Sequence, residues 1–465
     1  MIYSWHEFQS QQSGGTMYKR FNSFESLVED FKTRDAAAIR YEAEDGSVRD
    51  ISYKELAQRI SSEIFHVKAA CSTVEVIRYE LDPDSLVDIF AHVIAGCDII
   101  IADSRMPEEY NELAMEDAEK ARFLRETQRD ERGRIRGRQG EGELLFFTSG
   151  TTSRSKIVRL TSASLCASAW SGQKMLACGE GDVLLSVLTL SHAYGFVCSM
   201  LWGLAYGATV ALGRSLSRFT GDALFFDPTI IPAVPSQMAD MLNANALNPG
   251  LKTVLIGGAP CPQHIVDALR ERGVQVYLGY GLSETSSGIA ISQDTDDPYA
   301  MYPCPGADIR IEEDGEISVA TPCMMQGYLG RDPMFEKGRF YTGDIGWLDE
   351  KGRLHLKGRK KDVLIMEDGT KIFCPEFEEA LVRATEHADL GVTLKDGRAV
   401  LVAGSCPGDQ AEADALRSKL LNAIEDYSKD SPLMQHIQEV IIRADALPRS
   451  TIGKLKRYEL QELFG

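Results

Sequence analysis

No C-x-x-C pair occurs among the ten cysteines of this chain, so neither a zinc knuckle nor a dense disulfide framework is written into it, and reduced thiols in a cytoplasmic protein are the expectation. Positive charge is also short. With 50 Lys and Arg against 69 Asp and Glu, the formal net charge of −19 opposes nucleic-acid and anionic-membrane binding, and a polyanionic ligand must find locally concentrated cations. The opening residues, Met1-Ile2-Tyr3-Ser4-Trp5-His6-Glu7, lack the charged and apolar regions of a signal peptide. The one candidate membrane span, residues 193–212, holds Gly195, Gly203 and Gly207 and ends in Thr209-Val210-Ala211-Leu212, which favours a buried helix feeding a strand. What remains, 465 residues at 44% hydrophobic and 26% charged, is ordinary globular composition with length for two or three domains.

The chain is organised around residues 144–161, LLFFTSGTTSRSKIVRLT. Leu144-Leu145-Phe146-Phe147 reads as a short buried strand, and a second apolar alternation starts at Ile157. Between them Thr148, Ser149, Thr151, Thr152, Ser153 and Ser155 supply hydroxyl donors, Gly150 permits close backbone approach, and Arg154 and Lys156 add positive charge. Such a strand-loop-strand suits a polyphosphate. It is not a Walker loop, because Ser155 precedes Lys156, Ile157 follows it, and a strand comes next where that motif needs a helix. A merely solvated Ser/Thr-rich loop stays open on this stretch alone.

Elsewhere strands and helices alternate, which predicts an α/β sheet with parallel strands. Ser52-Tyr53-Lys54-Glu55 forms a capping box for a helix towards Ile64, and Asp84 or Ser85 caps a second through Ala95. Residues 105–143 read as a solvated charged helix and linker. Strands are expected at 183–188, 209–212, 230–234, 254–256 and 274–278, with helices at 162–175, 236–243 and 263–272. From Ile309 the texture becomes short strands and turns, and residues 358–465 carry strands and helices of their own.

Several stretches carry chemistry. Ser191-His192-Ala193-Tyr194-Gly195 follows a strand end; alone, His192 reads as readily as packing. Leu255-Ile256-Gly257-Gly258-Ala259-Pro260 ends a strand in a backbone-only ledge, on which a nucleobase can lie flat. Within residues 277–284, YLGYGLSE, Tyr280, Gly281, Ser283 and Glu284 bring an aromatic, a glycine, a hydroxyl and a carboxylate together. In Tyr341-Thr342-Gly343-Asp344 the carboxylate at a turn can accept both ribose hydroxyls.

These segments, with Gly358-Arg359-Lys360-Lys361-Asp362, residues 369–378 (GTKIFCPEFE) and residues 447–455 (LPRSTIGKL), resemble in order the motifs of the adenylate-forming superfamily: acyl-CoA synthetases, peptide-synthetase adenylation domains and luciferases. The chain departs from its patterns at Ser153 and Ser155, where Gly and Pro are usual, and at Cys374, where Pro is usual. The resemblance implies a large N-terminal α/β domain with a β-rich subdomain, residues 1–357, and a small mobile α+β C-terminal domain, residues 358–465. It implies a loop of Thr148, Ser149, Gly150, Thr151, Thr152 and Lys156 on the triphosphate, and Gly258, Ala259, Pro260, Tyr280 and Gly281 around adenine. Ser283 would meet the α-phosphate, Glu284 the Mg²⁺ ion, Asp344 the ribose and Arg359 the ribose or phosphate side, with Lys361 as pivot. His192 would lie beside the carboxylate substrate, and Lys454 would reach that carboxylate and the α-phosphate. The implied reaction is a carboxylic acid plus ATP giving acyl-AMP and pyrophosphate, then thioester formation on CoA. A carrier protein's phosphopantetheine is the alternative acceptor, with Lys454, Lys456 and Arg457 as a docking patch; a non-catalytic nucleotide-binding regulator is the alternative of another class. Because the segment after His192 is apolar and offers no carboxylate for an α-ammonium, an aryl or fatty acid is expected over an amino acid.

Overall fold

Short runs of branched and aliphatic residues, closed by glycine, aspartate or proline, build most of the strands; Thr253–Ile256 is one, buried along its whole length. A computed structural model describes residues 18–464, apart from 71–73, 107, 127–139, 149–155, 294–296, 331–334, 366–370, 396, 407, 409, 430–433, 435, 438 and 450–454. Among the described residues the largest sheet has 14 strands. Its centre is parallel: Val183–Ser186, Thr209–Leu212, Ile230–Ala233, Thr253–Ile256 and the first half of Gln275–Leu282 run side by side. From the second half of Gln275–Leu282 onwards pairing is antiparallel, through Ser287–Ser292, Met301–Pro303, Leu354–Arg359 and Arg339–Leu348 to Glu316–Ala320 and Asp308–Ile311. The β-rich texture therefore begins near residue 280, earlier than Ile309.

A second sheet of five strands orders Gly327–Tyr328, Lys156–Thr161, Glu143–Thr148, Asp98–Asp103 and Val74–Tyr79. The main apolar core draws on both sheets, with Phe146, Val158 and Ile101 from the smaller and Leu184, Val210 and Leu255 from the larger. The helix Ser162–Met175 leaves the end of the small sheet under a Thr161 and Ser164 capping box. The uncharged stretch from residue 193 is helical through Tyr206, with a π turn at Val197–Leu201, and then becomes the strand Thr209–Leu212. Among the described residues no helix is long and apolar enough to cross a membrane.

The helix expected from Asp84 or Ser85 spans Pro83–Ala95 and is capped two residues earlier: Asp82 accepts the Ser85 N–H at 2.7 Å, and proline takes the first helical position, where no N–H is missed. The charged stretch is less solvated than its composition suggests. Arg105 is buried against Asp103 at 2.7 Å, and Arg125, near the end of the helix Glu108–Glu126, is buried between Asp98 and Glu143. A net count of charges cannot show that the partners of Arg125 come from strands 18 and 27 residues away. Cys97 is disulfide-bonded, against the expectation of thiols throughout, whereas eight other cysteines are free.

Beyond Arg359 come a two-stranded hairpin, Val363–Ile365 with Lys371–Phe373, and a three-stranded sheet of Leu390–Lys395, Arg398–Ala403 and Glu439–Ile442. The helices Cys374–Thr385 and Gln410–Ser428 cover that sheet around a core of residues 372–440. The expected division at 357/358 falls inside the strand Leu354–Arg359.

Candidate nucleotide and acyl site

Parallel strands direct their carboxyl ends to one edge of a sheet, where the following loops can converge on a ligand. Here the loops after Val183–Ser186 and Thr253–Ile256 carry His192 and the Gly257–Pro260 ledge, and Gln275–Leu282 itself carries Tyr280 and Gly281. Gly258 has φ +79°, which suits glycine, and Gly258, Ala259 and Pro260 are exposed while the strand before them is buried. Tyr194 supports the ledge from below. Its hydroxyl is shared between the Leu255 and Ala233 carbonyls at 2.7 and 3.1 Å, and its ring faces Gly257 so closely that a Cβ there would lie 3.0 Å from Cζ.

The strand Glu143–Thr148 and the strand Lys156–Thr161 pair antiparallel, with Thr148 opposite Lys156, as the strand-loop-strand reading requires. Ser149, Gly150, Thr151 and Thr152 lie outside the described residues, as does Lys454. Lys156 extends its ammonium over the Tyr328 ring, 4.8 Å from the centroid, and the Tyr328 hydroxyl donates to Glu284 Oε1 at 2.7 Å. Lys156 and Glu284, 128 positions apart in the chain, thereby share one aromatic partner. Ser283 and Glu284 lie on the 3₁₀ turn Ser283–Thr285, and both are half-buried. Gly281 is required where it stands, because a Cβ would run into the Ser287 carbonyl.

A second cluster surrounds Asp344. Tyr280, buried, donates its hydroxyl to Asp344 Oδ2 at 2.7 Å, and Arg359 Nε lies 2.9 Å from Oδ1. Burial raises the Asp344 pKa, with the Arg359 charge opposing it. Arg359, Lys360, Lys361 and Gly343 line a cavity of about 380 Å³ beside this carboxylate. Lys361 is exposed on the 3₁₀ turn Lys360–Asp362.

His192 is half-buried at the end of its loop; desolvation lowers its pKa, with the charge of Asp103 working the other way. That loop is braced by a pair absent from the sequence reading: Asp103 Oδ2 accepts the Leu190 N–H at 2.7 Å, and Arg105 donates to the Ser186 carbonyl at 3.1 Å. Tyr328, Tyr194 and the Asp103–Arg105 pair touch the candidate residues or their loops and were not among the expected site residues. Tyr194 lay within a stretch already singled out; Tyr328 and Asp103 carried no local signal. Of the expected docking patch, Arg457 is mostly buried and bonded to Glu378 and Asp362, Lys456 is half-exposed and pairs with Glu459 at 2.8 Å, and Lys454 lies outside the described residues.

Among the described residues no three His, Cys, Asp or Glu side chains converge as a self-sufficient metal site. A single carboxylate such as Glu284 suits Mg²⁺, whose remaining ligands are ordinarily phosphate oxygens and water.

The 2-succinylbenzoate–CoA ligase of Bacillus velezensis is 31% identical over 347 residues, 69% of this chain and 68% of its own length. A solved structure of the o-succinylbenzoate CoA synthetase of Bacillus subtilis with its acyl-adenylate intermediate shares the fold, with TM-score 0.73 at 23% identity, covering 95% of this chain and 98% of that one. The same enzyme with ATP and magnesium ion gives TM-score 0.73 at 22% identity over 93% and 98%. The family model for AMP-binding enzymes matches residues 66–329, and with these relatives it establishes that the chain belongs to the AMP-binding, adenylate-forming enzyme family.

Proposed function

We propose that this protein is an AMP-forming acid–CoA ligase whose substrate is 2-succinylbenzoate or a close aryl acid: acid and ATP give acyl-AMP and pyrophosphate, and CoA then displaces AMP to give the thioester. The substrate assignment rests on the relatives, among them the ligase 31% identical over 69% of the chain. The observation that carries the mechanism is the linked set Lys156–Tyr328–Glu284, which puts a cation and a carboxylate around one aromatic ring at the carboxyl edge of the sheets.

The chemistry joins two anions, so the protein's work is positioning and charge neutralisation. In this reading Lys156 and the hydroxyls of Thr148, Ser149, Thr151 and Thr152, with the Gly150 backbone, hold the β and γ phosphates as pyrophosphate leaves. Ser283 meets the α-phosphate, and Glu284 would hold Mg²⁺, which would neutralise phosphate charge. The ledge Gly258–Pro260, with Tyr280 and Gly281, receives adenine, and Asp344 and Arg359 receive the ribose. His192, uncharged at neutral pH because burial lowers its pKa, lies beside the carboxylate without adding a competing cation. Lys454 bridges carboxylate and α-phosphate.

We further propose that residues from about 358 form a mobile domain turning about Lys361, and that the protein works in the cytoplasm. CoA is favoured over a carrier protein because Arg457 is locked in internal ion pairs. The apolar segment after His192, which offers no carboxylate for an α-ammonium, favours an aryl or fatty acid over an amino acid. The test is ATP-dependent pyrophosphate release across aryl, fatty and amino acids, with CoA and a phosphopantetheinyl carrier as acceptors. Release with 2-succinylbenzoate and thioester on CoA are expected. Release with amino acids alone would overturn the substrate class, and no release with any acid would favour a nucleotide-binding regulator.

A further inference from the structure

We propose that two ion-pair clamps flanking Lys361 confine the turning of the C-terminal domain to that residue, Lys360 being held to the N-terminal body and Asp362 to the C-terminal domain. The proposal rests on the reading of Lys361 as the pivot. On the N-terminal side Lys360 Nζ lies 2.6 Å from Glu316 Oε2 and 2.6 Å from Asp314 Oδ2. Glu316 is buried, and its other oxygen accepts the Gly343 N–H at 2.9 Å, so the clamp is fastened to the turn that presents Asp344. Arg359, one residue earlier, is tied to Asp344 itself.

On the C-terminal side Asp362 Oδ1 lies 2.8 Å from Arg457 Nε. Arg457 opens the last helix, Arg457–Glu462, and its two terminal nitrogens bind both oxygens of Glu378 at 2.7 and 2.6 Å. Glu378 in turn accepts the Val392 N–H at 2.6 Å, within the strand Leu390–Lys395. Three consecutive residues thus belong to the body, the pivot and the domain.

A rotation between two rigid bodies is absorbed by whichever dihedrals cost least, and a residue whose side chain is bonded to one body resists being the one that turns. A bridge from Lys360 alone would be weak, because its side chain is half-exposed. Two carboxylates converge on it, however, and Glu316 is already fixed by a backbone bond, which lowers the entropy of forming the contact. The Arg457 fork is mostly buried and made with two carboxylates. Without the clamps, rotation would spread over several residues and the domain would arrive less well placed.

The test uses the full chain and reads hydrogen exchange of residues 358–364 together with thioester formation from CoA and chemically supplied acyl-AMP of the acid active in the panel. Lys360→Met and Asp362→Asn should each speed exchange across these residues by about fivefold at unchanged melting temperature. Lys361→Pro should abolish thioester formation. Because proline also restricts the residue before it, relief is sought on the other side: Lys361→Pro with Asp362→Asn should recover roughly a tenth of the wild-type rate. Unchanged exchange in both single variants, or no recovery in the double variant, overturns the clamps. Undiminished thioester formation in Lys361→Pro alone instead rejects the pivot.

Discussion

The carboxylate of Glu284 is held by the Tyr328 hydroxyl through one oxygen, and the same tyrosine ring receives the ammonium of Lys156. Substitutions at these three residues should have separable effects. Glu284→Gln replaces an ionic oxygen ligand by a neutral amide, so adenylation should need much more Mg²⁺; an unchanged Mg²⁺ titration would remove Glu284 from the metal. Tyr328→Phe keeps the ring under Lys156 and deletes one hydrogen bond to a charged group, a loss of about 1.5–3 kcal/mol in placing Glu284. Its signature should be a raised Mg²⁺ requirement with a near-normal KM for ATP. Lys156→Ala should show the reverse, a raised KM for ATP at saturating Mg²⁺. Steady-state pyrophosphate release against both ligands separates the two patterns. At this scale the sequence was informative where a motif is contiguous: Tyr280, Gly281, Ser283 and Glu284 announce themselves within five positions. Tyr328 did not, because what makes it part of the site is proximity across 44 residues.

Among the elements, the turn joining Gln275–Leu282 to Ser287–Ser292 has little steric tolerance. Ser286 and Ser287 have φ of +52° and +100°, and the backbone of Ser287 fills the space a side chain on Gly281 would need. Gly281→Ala should therefore lower stability by roughly 1–3 kcal/mol or more and displace Ser283 and Glu284, so adenylation falls with it. Gly288, in the adjacent strand, has open space around its Cα, and Gly288→Ala should be close to neutral. Equal melting temperatures for the two alanine variants would contradict this account of the turn. Element types were legible from periodicity, as Ser162–Met175 and Thr209–Leu212 show. The switch from parallel to antiparallel pairing in the middle of Gln275–Leu282 was not, because the sequence of a single strand does not state which neighbour each half will find.

At the scale of the molecule, the helix Glu108–Glu126 is fixed to the five-stranded sheet by the buried group Asp98, Arg125, Glu143 and Arg159. Burial alone would raise the Glu143 pKa, but the bonds to Arg159 and Arg125 outweigh it and hold the carboxyl below its ordinary value. A depressed folded pKa contributes stability that is present above the unfolded value, about 4.3 for Glu, and is lost as pH falls through the folded one. Unfolding by urea at several pH values should therefore show stability falling on acidification below about pH 4.3, with a shallower fall in Glu143→Gln. Arg125→Met, which leaves two buried carboxylates with one cation fewer, should cost about 3–5 kcal/mol. A cost near zero would mean that water reaches the group. Composition hid this network inside a stretch that reads as solvated charge, for burial of a charge depends on where its counter-ion is folded.

The central claim, one site that makes an acyl adenylate and a domain that turns to discharge it, is met most directly at Lys454. In the proposed mechanism its charge is needed when a carboxylate attacks an anionic phosphate, and removing such an electrostatic donor costs about 10² to 10³-fold in rate. It is not needed once acyl-AMP exists. The measurement is the pair of half-reactions in Lys454→Ala: acyl-AMP from acid and ATP, and thioester from supplied acyl-AMP and CoA, each relative to wild type. The account predicts a loss of about 10² to 10³-fold in the first, a near-wild-type second, and an unchanged melting temperature. Comparable loss in both half-reactions at an unchanged melting temperature would contradict it.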